Sequence, residues 1–236
     1  MKGDPLPGDL LGAVLAGGES TRYGEPKALV SLAGRPMAAW AVDALQPHFS
    51  EVGLLAGDPG VIRALDLPAR RDLVPGQGPL GGLLTALAWA RDRGFGGAFL
   101  LACDLPLVGR SLVGRILAHG FRGKDAVVPA SPGPLGMEPL CAAYTLACLE
   151  PAEALVAAGH RSMRGLLDAV GFSLVPMDAL GGPGEAAKRF TNVNTPEEKR
   201  EVEDALSRGV QAGTDPGVSG TGSPGGGDSR KWTDPS

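Results

Sequence analysis

The 236-residue chain is 43% hydrophobic, 20% charged and 5% aromatic. It is long enough for one large α/β domain or two small ones, and too apolar for wholesale disorder. Its 26 acidic and 22 basic residues leave a formal charge of −4 and a pI of ≈ 5.4, which argues against nonspecific nucleic-acid binding.

Residues 1–9 read as a frayed N-terminus, without the apolar core of a secretory signal. Residues 10–16 (LLGAVLA) form an apolar run that stops at Gly17-Gly18, the pattern of a buried strand entering a glycine loop. Residues 36–45 have helical spacing, with Pro36 in the first turn and Met37, Trp40, Ala41 and Ala44 on one face. A second strand is expected over 51–56, a helix over 79–91, and a third buried strand over 96–103 that runs into Asp104-Leu105-Pro106. A short helix over 111–119, a strand over 126–129 and another over 140–145 follow. Further helices are expected near 151–158, over 162–170 and over 196–207. Thr195-Pro196-Glu197-Glu198 is a capping box that opens the last of these. Strand and helix alternate through the first half, which predicts an α/β fold: a mostly parallel sheet with helices on both faces. Ligands of such sheets bind beyond the carboxyl ends of the strands, where Gly17-Gly18 and Asp104 both fall. No stretch approaches the ~20 continuous apolar residues of a membrane span.

Glycine and proline make up 58 of 236 residues, and the excess collects after residue 208. Only four apolar residues, among them Trp232, occur in 209–236, too few to offset the entropy of ordering. The reading is one domain over 10–208 followed by a disordered tail. Deleting 209–236 should leave activity and melting temperature nearly unchanged. A large loss of either on truncation would show that the tail docks on the domain.

The segment LAGGESTRYGEPK (15–27) carries the strongest chemical signal. Gly17 and Gly18 permit close backbone approach to a ligand, and successive N–H groups in such a loop form an anion-binding concavity. Arg22 and Lys27 bring two cations to the same loop, as a polyphosphate requires. It is neither a Walker A loop nor G-x-G-x-x-G. Asp104 offers carboxylate oxygens at a strand end, suited to Mg²⁺ bound together with phosphate oxygens. Cys103 reads as a buried structural thiol. Cys103, Cys141 and Cys148 sit in no C-x-x-C motif, so neither a disulfide framework nor a zinc site is indicated and a reducing cytoplasm is expected. His48, His119 and His160 share no ligand-like spacing, and Trp40 and Trp89 read as core.

The loop L-A-G-G-x-S-x-R-x-G-x-x-K resembles the signature of Rossmann-like nucleotidyltransferases, and its second glycine, Gly18, is most similar to that of the molybdenum cofactor guanylyltransferase family. Tyr23 and Pro26 depart from the Met and Asp usual there. The resemblance continues in LAGRPM (32–37), in Asp72 with GPLGGL (78–83), in CDLP (103–106), in EPLCAAY (138–144), in RSM (161–163) and in FTNVNTPEE (190–198). It implies a single Rossmann-like domain that moves GMP from GTP to the molybdenum cofactor (Mo-molybdopterin), with Mg²⁺ as cofactor. It also implies no nucleic-acid or membrane partner, with molybdenum-insertion or molybdoenzyme-maturation proteins as candidate partners. By the same resemblance Leu15, Ala16, Gly17 and Gly18 pass under the nucleotide. Asp72 contacts it, and Gly78-Pro79-Leu80 opens a helix beside the base. Lys27 and Arg22 hold the triphosphate, and Asp104 holds the metal. An ion pair with Arg70 or Arg71 is the competing reading of Asp72. Asn192 and Asn194 either fix the pterin side, buttress Asp104, or only shape their loop. Rival functions are a CTP-dependent or other Mg²⁺-dependent nucleotidyltransferase and a catalytically silent nucleotide-binding protein.

Overall fold

The computed structural model describes residues 5, 7–17 and 24–207. Gly18 and Arg22, the frayed start and the 209–236 tail therefore lie outside the described residues, Pro5 and residues 7–9 apart.

The elements run β1 (Leu10–Leu15), β2 (Ser31–Leu32), β3 (Arg35–Pro36), α1 (Met37–Leu45), β4 (Val52–Leu55), α2 (Pro59–Leu65), β5 (Ala69–Arg70), α3 (Gly78–Asp92), β6 (Gly97–Ala102) and α4 (Arg110–His119), followed by β7 (Ala126–Pro129), β8 (Cys141–Thr145), α5 (Leu149–Ala157), α6 (Met163–Ala169), β9 (Phe172–Val175), α7 (Pro183–Arg189) and α8 (Pro196–Ser207). Seven strands form one sheet in the order β5-β4-β1-β6-β8-β7-β9. β1 pairs in parallel with β4 and β6, and β7 with β9, while β8 alone runs antiparallel to its neighbours. The sheet is thus mostly parallel, as the alternation predicts, with one reversed strand.

Period-two alternation sorts the strand residues between two cores. Leu10, Val14, Phe99 and Leu101 face one side with α1 and α4. Leu11, Ala13, Ala98 and Leu100 face the other with α3, α5 and α6. The Trp89 indole of α3 lies against Gly53 of β4, where any Cβ would collide with the ring. Only glycine lets the helix settle onto that strand. Trp89 is core, as expected, whereas Trp40 is only half-buried. The Trp40 Nε1–H donates to the Leu32 carbonyl at 3.2 Å and the Arg35 guanidinium covers its ring at 4.9 Å. A third cluster packs Val202 and Leu206 of α8 against Leu32, Met37, Leu107 and Val193. This cluster seats the last described helix against the β2–α1 segment. No helix among the described residues is long and apolar enough to cross a membrane.

Candidate active site

The carboxyl ends of β1 and β6 lie side by side. The Ala16 N–H donates to Leu55 O at 3.1 Å and the Cys103 N–H to Leu15 O at 3.2 Å, so the 15–17 and 103–104 segments leave the sheet together. Pro26, with φ −54°, starts a single 3-10 turn over Lys27–Leu29 that aims Lys27 back at this rim. The Lys27 Nζ donates to Asp104 Oδ2 and to Asn194 Oδ1, each at 2.6 Å. Both ionised side chains of the pair are about one-fifth exposed. The ammonium has a third proton for an anion.

Asn194 is held by the capping box. Glu198 Oε2 accepts from the Asn194 N–H at 2.6 Å and the Thr195 N–H at 2.9 Å, while Thr195 Oγ1 accepts from the Glu198 N–H at 3.2 Å. The Val193 N–H donates to the Asp104 carbonyl at 3.0 Å, which clips the closing segment onto the β6 loop. Asn194 therefore buttresses the Lys27–Asp104 pair. Asn192, two residues earlier, is exposed and opens on a neighbouring cleft.

Asp104 Oδ1 is buried and has no hydrogen-bond partner among the described residues. A buried carboxylate oxygen left unpaired is costly, and a cation is the partner that repays it. Mg²⁺ takes one or two carboxylates with water and substrate phosphates, so a single orphaned aspartate oxygen at the strand rim fits it. Among the described residues no group of three His, Cys, Asp or Glu side chains forms a larger metal cluster. Burial foremost, then the charge of Asp104, pushes the Cys103 thiol up to about 12. It is a packing residue and no nucleophile.

Gly17 is not among the residues of positive φ, and a Cβ there would sit an ordinary 3.5 Å from Leu55 O. The fold itself makes no demand for glycine at 17. Gly78, at φ +60°, does carry a left-handed backbone at the first residue of α3. Leu15 packs on Gly82 of that helix, which seats the start of α3 against the end of β1. Asp72 precedes that turn, and burial pushes its carboxyl above the usual range. The Arg70 partner is Asp92, at 2.8 Å, and among the described residues no basic side chain pairs with Asp72. This corrects the ion-pair reading.

Sequence reasoning passed over Thr85, a buried polar residue in the apolar run of α3. Its hydroxyl accepts from the Leu73 N–H at 3.0 Å and donates to Gly81 O at 2.9 Å, tying the Asp72 segment to the helix. It also gave no role to Glu138, in the β7–β8 loop. A lone threonine among leucines and alanines was the available signal for the first. An acid inside an apolar, proline-flanked segment was the signal for the second.

A cleft of ≈ 510 Å³ opens beside this rim, within the range of small-molecule sites. Pro79, Met137, Glu138, Pro139, Phe190 and Asn192 are among its walls.

Gly17 at the end of β1, Asp104 after β6, Lys27 reaching Asp104 from its 3-10 turn, and a cleft beside them are the arrangement of a nucleotidyltransferase. The description "MobA-like NTP transferase domain" matches residues 12–174. A molybdenum cofactor guanylyltransferase of Cereibacter sphaeroides is 35% identical over 84% of this chain and 98% of its own length. A probable molybdenum cofactor guanylyltransferase of Thermococcus gammatolerans is 32% identical over 80% and 96%. The crystal structure of molybdopterin-guanine dinucleotide biosynthesis protein A from Archaeoglobus fulgidus superposes with a TM-score of 0.67 at 25% identity, covering 84% of this chain and all of that one. The chain belongs to the MobA-like, molybdenum cofactor guanylyltransferase family.

Proposed function

We propose that the protein transfers GMP from GTP to the molybdenum cofactor, forming the guanine dinucleotide form and releasing pyrophosphate. The observation that carries this reading is the pairing of Lys27 with Asp104 at the strand rim, with Asp104 Oδ1 left for a cation. The names of the curated relatives support the choice of GTP and of the pterin acceptor.

An oxygen of the acceptor phosphate attacks the α-phosphorus, one P–O bond forms, and the bond to the β-phosphate oxygen breaks as pyrophosphate leaves. The acceptor phosphate is already ionised, so no general base is required. Positioning and charge neutralisation carry the catalysis. Asp104 would hold Mg²⁺, which supplies charge compensation to the phosphate oxygens when bound. Lys27 turns its remaining proton to the triphosphate, and Arg22 joins it from the same loop. The backbone of Leu15, Ala16, Gly17 and Gly18 passes under the nucleotide, with glycine at 17 making room for ligand, as no fold demand explains it. Asp72 and Gly78-Pro79-Leu80 border the nucleoside, and Asn192 reaches the acceptor. The setting is the cytoplasm, with molybdenum-insertion or molybdoenzyme-maturation proteins as partners and neither nucleic acid nor membrane as ligand.

Base choice tests the reading. Each hydrogen bond missed in a buried site costs about 1–3 kcal/mol. GTP is therefore expected to exceed CTP in kcat/KM by at least about tenfold, the ratio equivalent to 1.4 kcal/mol. Competition at equal concentrations with molybdopterin as acceptor measures it. Equal use, or a preference for CTP, would move the chain to a cytidylyltransferase role and make Pro26 the informative departure.

A further inference from the structure

The cleft beside the reaction centre is mostly apolar. Pro79, Pro139, Met137, Met163 and Phe190 line it, a composition suited to a flat heteroaromatic ring rather than to a phosphate. Its basic residue, Arg164, is committed to Asp168 at 3.0 Å. Glu138 is its only carboxylate among the described residues.

Glu138 is held in place before any ligand arrives. Its N–H donates to Pro129 O at 2.9 Å and its carbonyl accepts from the Cys141 N–H at 3.2 Å. Side-chain Oε1 accepts from the Leu140 N–H at 3.1 Å. The next residue is anchored too, since the buried Tyr144 hydroxyl donates to Pro139 O at 2.7 Å. Oε2 accepts from no protein donor among the described residues. Burial foremost pushes this carboxyl above the usual range, with Asp104 adding to the effect against the Leu140 N–H. The carboxylate thus keeps one oxygen without a protein donor among the described residues. A carboxylate so placed calls for a ligand that donates.

We propose that Glu138 reads the 2-amino-4-oxopyrimidine edge of the acceptor's pterin, its open oxygen accepting the N–H donors of that edge. This rests on the pterin reading of the acceptor. The ring lies against Pro139, Met137 and Met163, its donor edge on Glu138 and its phosphate-bearing side toward Asp104, with Pro79 at the nucleoside end of the cleft. Glu138 then selects the acceptor without touching the nucleotide.

The test uses the full chain and two probes: pterin, and lumazine, which carries an oxo group in place of the 2-amino group. Wild type is expected to bind pterin at least about tenfold tighter than lumazine, because a hydrogen bond to a charged group is lost. Glu138→Ala should lose about 10- to 100-fold in pterin affinity and with it the preference, and Glu138→Gln should lose part of both, while both variants bind GTP with Mg²⁺ as wild type does. Three results would overturn the assignment: pterin affinity unchanged in both variants, lumazine bound by wild type as tightly as pterin, or a raised Mg²⁺ requirement with pterin affinity intact. If wild type binds neither pteridine, the pterin acceptor falls as well, which separates that failure from failure of the Glu138 role alone.

Discussion

Asp104→Asn is expected to lower kcat by at least about 10²–10³-fold, the scale seen when one charge-stabilising group is removed from an active site. Asparagine keeps the shape and can still accept from Lys27, but it lacks the charge a hard cation requires. The fold has no reason to suffer. The Asp104 carbonyl that receives Val193 is backbone and survives the change. The substitution also removes a buried carboxylate oxygen that has no protein partner among the described residues. The melting temperature without ligands should therefore stay level or rise. An upward shift is expected when GTP with Mg²⁺ is added to the wild type, and it should be absent in the variant. Near-normal turnover at ordinary Mg²⁺ would remove Asp104 from the metal role.

Lys27→Ala is expected to lower kcat/KM for the nucleotide by about 10²–10³-fold. Lys27 holds both Asp104 and Asn194. Its loss removes the cation proposed to bind the triphosphate and also the link that holds the other two. The cost in stability should be small, because the pair touches solvent and such pairs are worth about 0–1 kcal/mol. A variant that loses melting temperature in proportion to activity would mark Lys27 as a structural residue instead. Steady-state kinetics beside thermal melts separate the two outcomes.

The parts of this architecture that a sequence displays are those with local causes. β1 and β6 are apolar runs ended by Gly17 and Asp104, and both lie at the centre of the sheet. The capping box at Thr195 fixed the start of α8 at Pro196, where the structure has it. Elements without a local cause were not foreseen. β5 has two residues, and β9 is an edge strand with an exposed Leu174, so neither shows a buried run. α2 begins Asp58-Pro59-Gly60, which reads as a turn, although Asp58 Oδ1 caps the helix through Gly60 and Val61. α7 is hidden in Gly181-Gly182-Pro183-Gly184. The reversal of β8 leaves no local trace, because period and composition are blind to strand direction. The meeting of Lys27, Asp104 and Asn194 is a long-range event: the strand-end rule brings the Lys27 loop and Asp104 together, and resemblance alone adds Asn194.

The bond between Lys27 and Asn194 joins positions 167 residues apart, and the clip from Val193 to Asp104 closes over the same late segment. Every strand of the sheet precedes Pro176. During synthesis the ribosome therefore delivers a chain able to complete its whole sheet before Asn194 exists. Closing so long a loop is also among the costlier steps in entropy. A nascent or prematurely terminated chain that stops short of Phe190 would carry the Lys27–Asp104 pair without the Asn194 and Val193 bonds that brace it. Bracing of the lysine and aspartate is thereby deferred until residues 190–198 have been made, well after the last strand of the sheet.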